Sequence, residues 1–170
     1  MTERLKDKIA VVFGAGSVGP GWGNGKATAT LFAREGAQVV CVDFNPDAAK
    51  ETVGIILKEG GSASAAICDV TSSDQVAKVV TDVMARHGRI DVLHNNVGYA
   101  TMGGPIELTE SEWHKTIDLN ITGCFLTCKH VLPQHAGAAF RCNRQCLIDR
   151  RDPLDGLSLC RLLRCEGSSE

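Results

Sequence analysis

"FGAGSVGPGWGNGKATA", residues 13–29, decides how the rest of the chain is read. It follows an apolar, β-branched run, "KIAVVF" at 8–13, and leads into "NGKATATLFAREG", where apolar residues recur at helical spacing. A strand that turns through glycines into a helix leaves the helix's first N–H groups pointing at a place where an anion can sit. The glycines let the chain turn sharply and let its backbone approach a pyrophosphate closely. Two registers are open. Gly14, Gly16 and Gly19 match G-x-G-x-x-G, whereas Gly14, Gly23 and Gly25 form a longer loop whose last two glycines flank Asn24 at the helix start. The longer loop is favoured, because the helix should begin after Gly23 and not inside "VGPGW". The plain alternative is a flexible glycine-rich turn, against which stand the strand before it and the helix after it.

Working outward, Asp43 ends the next strand run, "AQVVCVD" at 37–43, some 29 residues beyond Gly14. A carboxylate there can accept hydrogen bonds from both ribose hydroxyls of an adenosine, and it repels a 2′-phosphate. No Arg or Lys follows before Lys50. NAD is therefore expected in preference to NADP. The competing reading is an Asp that only caps the following turn.

The pattern repeats along the chain. Strand runs at 8–13, 37–43, "SAAICDV" (64–70) and "IDVLHNN" (90–96) alternate with helical periodicity over 24–36, 46–59, 73–87 and a long stretch around 110–132. Four β-α units with apolar, β-branched strands imply an α/β fold. The expected form is a Rossmann-type doubly wound parallel sheet, incomplete at the C-terminal side. At 170 residues and 44% hydrophobic, one domain is the expectation. A net charge of −2 and a pI near 6.2 offer no basic footprint for nucleic acid, and no apolar run reaches bilayer length. The charged start "MTERLKDK" leaves no room for a signal peptide, so the protein is read as cytoplasmic and its eight Cys as reduced thiols.

Composition shifts near residue 134. All eight Lys lie at or before Lys129, while six of the ten Arg and four of the eight Cys lie at or after Arg141. The division is a nucleotide-binding domain over 1–134 and a tail over 135–170, in which neither period is evident. A metal site on Cys142, Cys146, Cys160 and Cys165 is a rival reading of the tail, but C-x3-C and C-x4-C are looser than zinc knuckles and Arg crowds the segment. No metal is expected. His94, His114, His130 and His135 lack ligand spacing and are taken as structural or surface residues.

With "CDV" (68–70), "NNVG" (95–98) and "DLNITG" (118–123) following the glycine loop in order, the chain resembles a short-chain dehydrogenase/reductase over about residues 5–134. The resemblance implies that Asp69 and Val70 flank the adenine. It implies that Asn95, Asn96, Val97 and Gly98 stabilise the sheet and line the nicotinamide ribose side. Asn120 would be the Asn of the catalytic tetrad, breaking its helix to hold a water in a proton relay. It also implies a small carbonyl or alcohol substrate, and a homo-oligomer built through the helices near 72–88 and 110–132. The chain departs from the family in Phe13 for Thr, in Val97 for Ala, and in a glycine loop about five residues longer than usual.

The family's remaining chemistry is missing. A Tyr should act as general acid/base, with a Lys four residues on and a Ser to orient the substrate oxygen. The only Tyr, Tyr99, has Gly103 four residues later, and no N-x-S-S follows. A shifted reading frame accounts for both the loss and the tail. If each intended codon joins the last two bases of one codon to the first of the next, Gln145 with Cys146 encodes only Asn or Ser. Cys146 with Leu147 then gives Val or Ala, and the next two overlaps give Ser or Leu, apart from stops. N-V-S-S is thus permitted. Fourteen overlaps after its second Ser, Leu162 with Leu163 permits Tyr, and four further on Glu166 with Gly167 permits only Lys or Arg. The expectation is a frameshift near Gln134 in a short-chain dehydrogenase gene, and little or no hydride transfer by the chain as written. The alternative is a non-catalytic NAD-binding fragment.

Overall fold

A computed structural model of the chain describes residues 3–135. In chain order these form β1 (Ile9–Phe13), α1 (Asn24–Arg34), β2 (Gln38–Asp43), α2 (Pro46–Lys58), β3 (Ser62–Ile67), α3 (Ser73–His87), β4 (Val92–Asn95), α4 (Glu110–Ile117) and α5 (Gly123–His135). A π-helical turn, Asp118–Thr122, separates α4 from α5. Every strand pairing is parallel, in the order β3-β2-β1-β4. This is the Rossmann-type doubly wound sheet. The expectations for the tail, including Cys142, Cys146, Cys160 and Cys165, lie outside the described residues.

β1 shows why the sheet must be covered on both faces. Its five residues are at most 5% exposed. Successive side chains in a strand point to opposite faces, so Ile9, Val11 and Phe13 meet α3 and α5 through Val76, Val80, Val83, Leu126 and Val131. Ala10 and Val12 face the other way, toward Ala29 and Ala33 of α1 and Ile56 of α2. Each fully buried Val or Ile contributes roughly 1.5–3 kcal/mol. The small residues on the second face bring α1 close to the sheet, which sets the glycine loop directly above the end of β1.

Two elements depart from the spans that periodicity gives, each through one polar side chain, and the first break is the one the family resemblance implied for Asn120. The helix expected around 110–132 is broken: Asn120 Nδ2 donates to the carbonyls of Thr116 (2.8 Å) and Tyr99 (2.7 Å), and Oδ1 accepts from Tyr99 N (3.1 Å). A side-chain amide that takes a helix carbonyl competes with the regular ladder, and the extra residue is absorbed as a π turn. The third strand runs over 62–67 and not 64–70. Asp69 Oδ1 accepts from Thr71 N (2.9 Å) and Thr71 Oγ1 (2.7 Å), a side-chain turn that ends the strand.

His94 carries a pH prediction. It is 6% exposed, its Nε2 has no hydrogen-bond partner, and its ring stands edge-on to Phe32 with centroids 6.0 Å apart. Burial holds its pKa below the ordinary histidine value. The folded state therefore resists protonation that the unfolded chain accepts near pH 6.5, so stability is intact above that pH and declines as pH falls through it toward the depressed folded value. His94→Leu should flatten this decline: between pH 7.5 and 5, its urea midpoint should fall less than that of the parent. Parallel pH profiles would refute the assignment. Burial also pushes the thiols of Cys41 and Cys68 up, to about 12 and about 11, and keeps them protonated.

Candidate functional site

The glycine loop rests on the backbone of the β4 exit. Gly14 has φ +75°, and a Cβ there would lie 2.9 Å from Val97 N and 3.0 Å from the Asn96 carbonyl carbon. Gly25 is still more constrained: a Cβ would fall 1.8 Å from the Gly14 oxygen, which Asn96 Nδ2 also holds at 2.9 Å. Gly23 is the N-cap of α1 and no side chain caps that helix, which leaves its first N–H groups for another acceptor. A Cβ on Gly19, the third glycine of the shorter register, would meet nothing within 4 Å. The longer register, with Asn24 opening the helix, is the one that packs.

Asp43 is tied to the same loop. Its Oδ2 accepts from Gly16 N (2.8 Å) and its Oδ1 from Asn45 N (2.9 Å), so the carboxylate caps the next turn and also faces the loop. Asp69 stands beside it, since Cys68 N donates to the Asp43 carbonyl (3.1 Å). Thr52 Oγ1, buried in α2, donates to Ala15 O (2.8 Å) and holds the loop from below.

A second group gathers across the sheet. Val70, Asn95, Val97 and Asn120 line a cleft of about 20 Å³ together with Leu119, Gly123, Cys124 and Thr127. A Cβ on Gly98 would lie 3.6 Å from Asn120 Oδ1. Both groups lie at the C-terminal edge of the sheet, on either side of the junction where β1 leads to α1 on one face and β4, through α4, leads to α5 on the other. Open α/β sheets bind ligands at such a junction. Asn95 Oδ1 and Asn96 Oδ1 are buried there without partners, and the Gly14–Gly25 cradle has no room for side chains. These features fit a dinucleotide whose polar groups would meet the free acceptors and helix N–H groups. A larger cavity, about 210 Å³ between β3 and α3, contains none of these residues.

Tyr99 is held by Asn120 through its backbone, and Lys115 Nζ lies 4.5 Å from its ring centroid. The ammonium addresses the ring face, which differs from the Tyr and Lys one helical turn apart that the sequence lacks. Among the described residues, no three His, Cys, Asp or Glu side chains gather as metal ligands, and no helix is long and apolar enough to cross a membrane. Reading by spacing missed Thr52, the Asn96 contact to Gly14, and Lys26, which is 1% exposed. For Lys26 a signal existed: it sits among Gly25, Ala29, Thr30 and Ala33 on the buried face of α1.

Comparison with known proteins gives the same picture. The short chain dehydrogenase family model matches residues 8–139. A Thermotoga maritima 3-oxoacyl-[acyl-carrier-protein] reductase is 36% identical over 134 residues, which is 76% of this chain and 51% of the relative. A crystal structure of a short-chain dehydrogenase/reductase from Burkholderia xenovorans superposes with a TM-score of 0.77 at 47% identity, over 79% of this chain and 53% of that one. A metagenomic short-chain oxidoreductase in complex with NADP has a TM-score of 0.74 at 33% identity, over 80% and 60% of the two chains. A 7α-hydroxysteroid dehydrogenase complexed with NADH and 7-oxo glycochenodeoxycholic acid has a TM-score of 0.72 at 32% identity, over 80% and 51%. The chain spans about half the length of the curated relatives it matches. A family match running through nearly all the described residues, on the same parallel sheet as solved members, makes this chain a member of the short-chain dehydrogenase/reductase family.

Proposed function

We propose that residues 1–134 form an NAD-binding unit and that the chain as written performs little or no hydride transfer. The contact that carries the reading is Gly25 against the Gly14 oxygen, with Asp43 fastened to Gly16 beside it. Gly14, Gly16, Gly23, Asn24 and Gly25 would hold the pyrophosphate through backbone N–H groups, and Asp43 would take the adenosine ribose hydroxyls. Asp69 and Val70 would flank the adenine, and Asn95, Val97 and Gly98 the nicotinamide ribose. A bound nicotinamide supplies the hydride exchanged with a carbonyl or alcohol carbon. Of the residues that move the accompanying proton, the chain supplies Asn120 alone. The tail at 135–170 is the misread remainder of a cytoplasmic, oligomeric enzyme acting on a small carbonyl or alcohol. The second reading, a dinucleotide-binding protein without catalysis, is favoured by the absence of the Tyr, Lys and Ser from the written frame.

Titration calorimetry on the 170-residue protein tests cofactor choice. NAD should bind at least tenfold more tightly than NADP, because Asp43 opposes the 2′-phosphate; charged hydrogen bonds are worth about 1.5–3 kcal/mol. Asp43→Ser should weaken NAD about tenfold and erase the preference, on the same scale. NADP binding as tightly as NAD in the parent would sink the assignment.

A further inference from the structure

We infer that Lys26 is the positioning residue of the enlarged glycine loop, holding residues 17–22 against α2 so that the loop is already shaped for the dinucleotide. The inference rests on the nucleotide-binding reading above. Lys26 is 1% exposed and carries a charge, which is costly to bury unless it is paired and hydrogen-bonded. Its Nζ donates to the Gly21 carbonyl at 2.9 Å and lies 2.9 Å from Glu51 Oε1 on α2. Ser17 Oγ donates to the same Gly21 carbonyl (3.2 Å) and accepts from Gly23 N (2.8 Å). The outer carbonyl of the loop thus receives one donor from within the loop and one from the helix beneath it.

Nothing apolar shares this task. Val18 and Trp22, the large hydrophobic side chains of the segment, are 103% and 61% exposed, and a Cβ on Gly19 would meet nothing within 4 Å. A loop with glycines at 19 and 21 recovers wide backbone freedom once its polar tether is cut. The tether also joins the ribose end. Glu51 lies next to Thr52, which holds the Ala15 carbonyl, and the first turn of α2 carries Asn45 and Ala48 beside Asp43 and Gly16. Lys26 therefore moves the ordering cost of the loop from binding into folding, and preorganisation of that kind raises affinity without a new ligand contact.

The test uses Trp22 as its own reporter. In the full chain carrying Trp113→Phe, Trp22 is the sole tryptophan. Lys26→Met fills similar space and leaves the partner Glu51, whose side chain is 59% exposed, in solvent, so the thermal midpoint should stay close to the parent's. Trp22 anisotropy should fall, its acrylamide quenching should rise about twofold, and the NAD Kd should rise about tenfold. Glu51→Gln keeps the Gly21 contact and should show the same changes at about threefold in Kd; it decides the matter if Lys26→Met does not fold. A parent that binds neither NAD nor NADP overturns the nucleotide-binding reading and this inference with it. A parent that binds NAD, with folded variants matching it in Kd and in Trp22 anisotropy, overturns the clamp alone. A raised Kd with unchanged Trp22 anisotropy also overturns it, because Lys26 would then act on the nucleotide directly.

Discussion

Gly25→Ala is expected to weaken NAD binding by at least about 100-fold, since a single methyl group would occupy the space on which the whole loop is built. The added Cβ would lie 1.8 Å from the Gly14 oxygen, 2.6 Å from Asn96 Nδ2 and 2.9 Å from the Gly14 carbonyl carbon. Two of these are backbone atoms, and the third belongs to the side chain that fixes the Gly14 carbonyl. Relief requires α1 to back away from β1, which displaces the helix's first N–H groups from the anion position. Overpacking of this kind also costs about 1–3 kcal/mol of stability. Gly19→Ala is the control: with open space around it, its NAD Kd should stay within about twofold of the parent, as is usual for surface changes. Calorimetric titration of both variants distinguishes the two loop registers. Damage at Gly19 with tolerance at Gly25 would restore the shorter one.

The second large effect concerns the tail. Sequencing the encoding DNA through the Gln134 codon and some 400 bases beyond is expected to find N-x-S-S and Y-x-x-x-K in a neighbouring frame. A protein expressed from that corrected frame should show NAD-coupled oxidation of a secondary alcohol, or reduction of a carbonyl, that we expect the 170-residue chain not to show. Proton transfer by a positioned side chain contributes roughly 10²–10⁴-fold on its own, so the contrast should run from undetectable to readily measured. Turnover by the purified 170-residue protein would refute its proposed inactivity. An authentic written frame with no such motifs downstream would leave dinucleotide binding without catalysis as its function.

The fold was legible because β1 is a run of apolar residues that must be covered twice: alternation sends Val11 and Phe13 to one helical layer and Ala10 and Val12 to the other, and only a doubly wound parallel sheet provides both. The start of α1 at Asn24 was legible because Gly23 and Gly25 flank a helix start that "VGPGW" cannot supply. The break in helix 110–132 was implied by the family resemblance, which gave Asn120 a helix-breaking role, but not by period, which cannot see that the Asn120 amide takes the Thr116 carbonyl and, at the same time, both backbone groups of Tyr99, 21 residues away. The third strand ended early for a similar reason, a local side-chain turn at Asp69 that outcompetes an apolar run.

Strand order, the close approach of Gly25 to Gly14, and the burial of Lys26 are of a different kind. Periodicity and turn chemistry act over a few residues, so they specify elements and their faces. Contacts between residues 14, 25 and 96, or between 26 and 51, depend on how those elements pack, and packing sums many weak terms that no short window contains. Hence the residue types that make a dinucleotide loop are written in order along the chain. That Asn96 holds the loop's first carbonyl, and that a buried lysine meets its outer one, follows only once β4 and α2 have closed around β1 and α1.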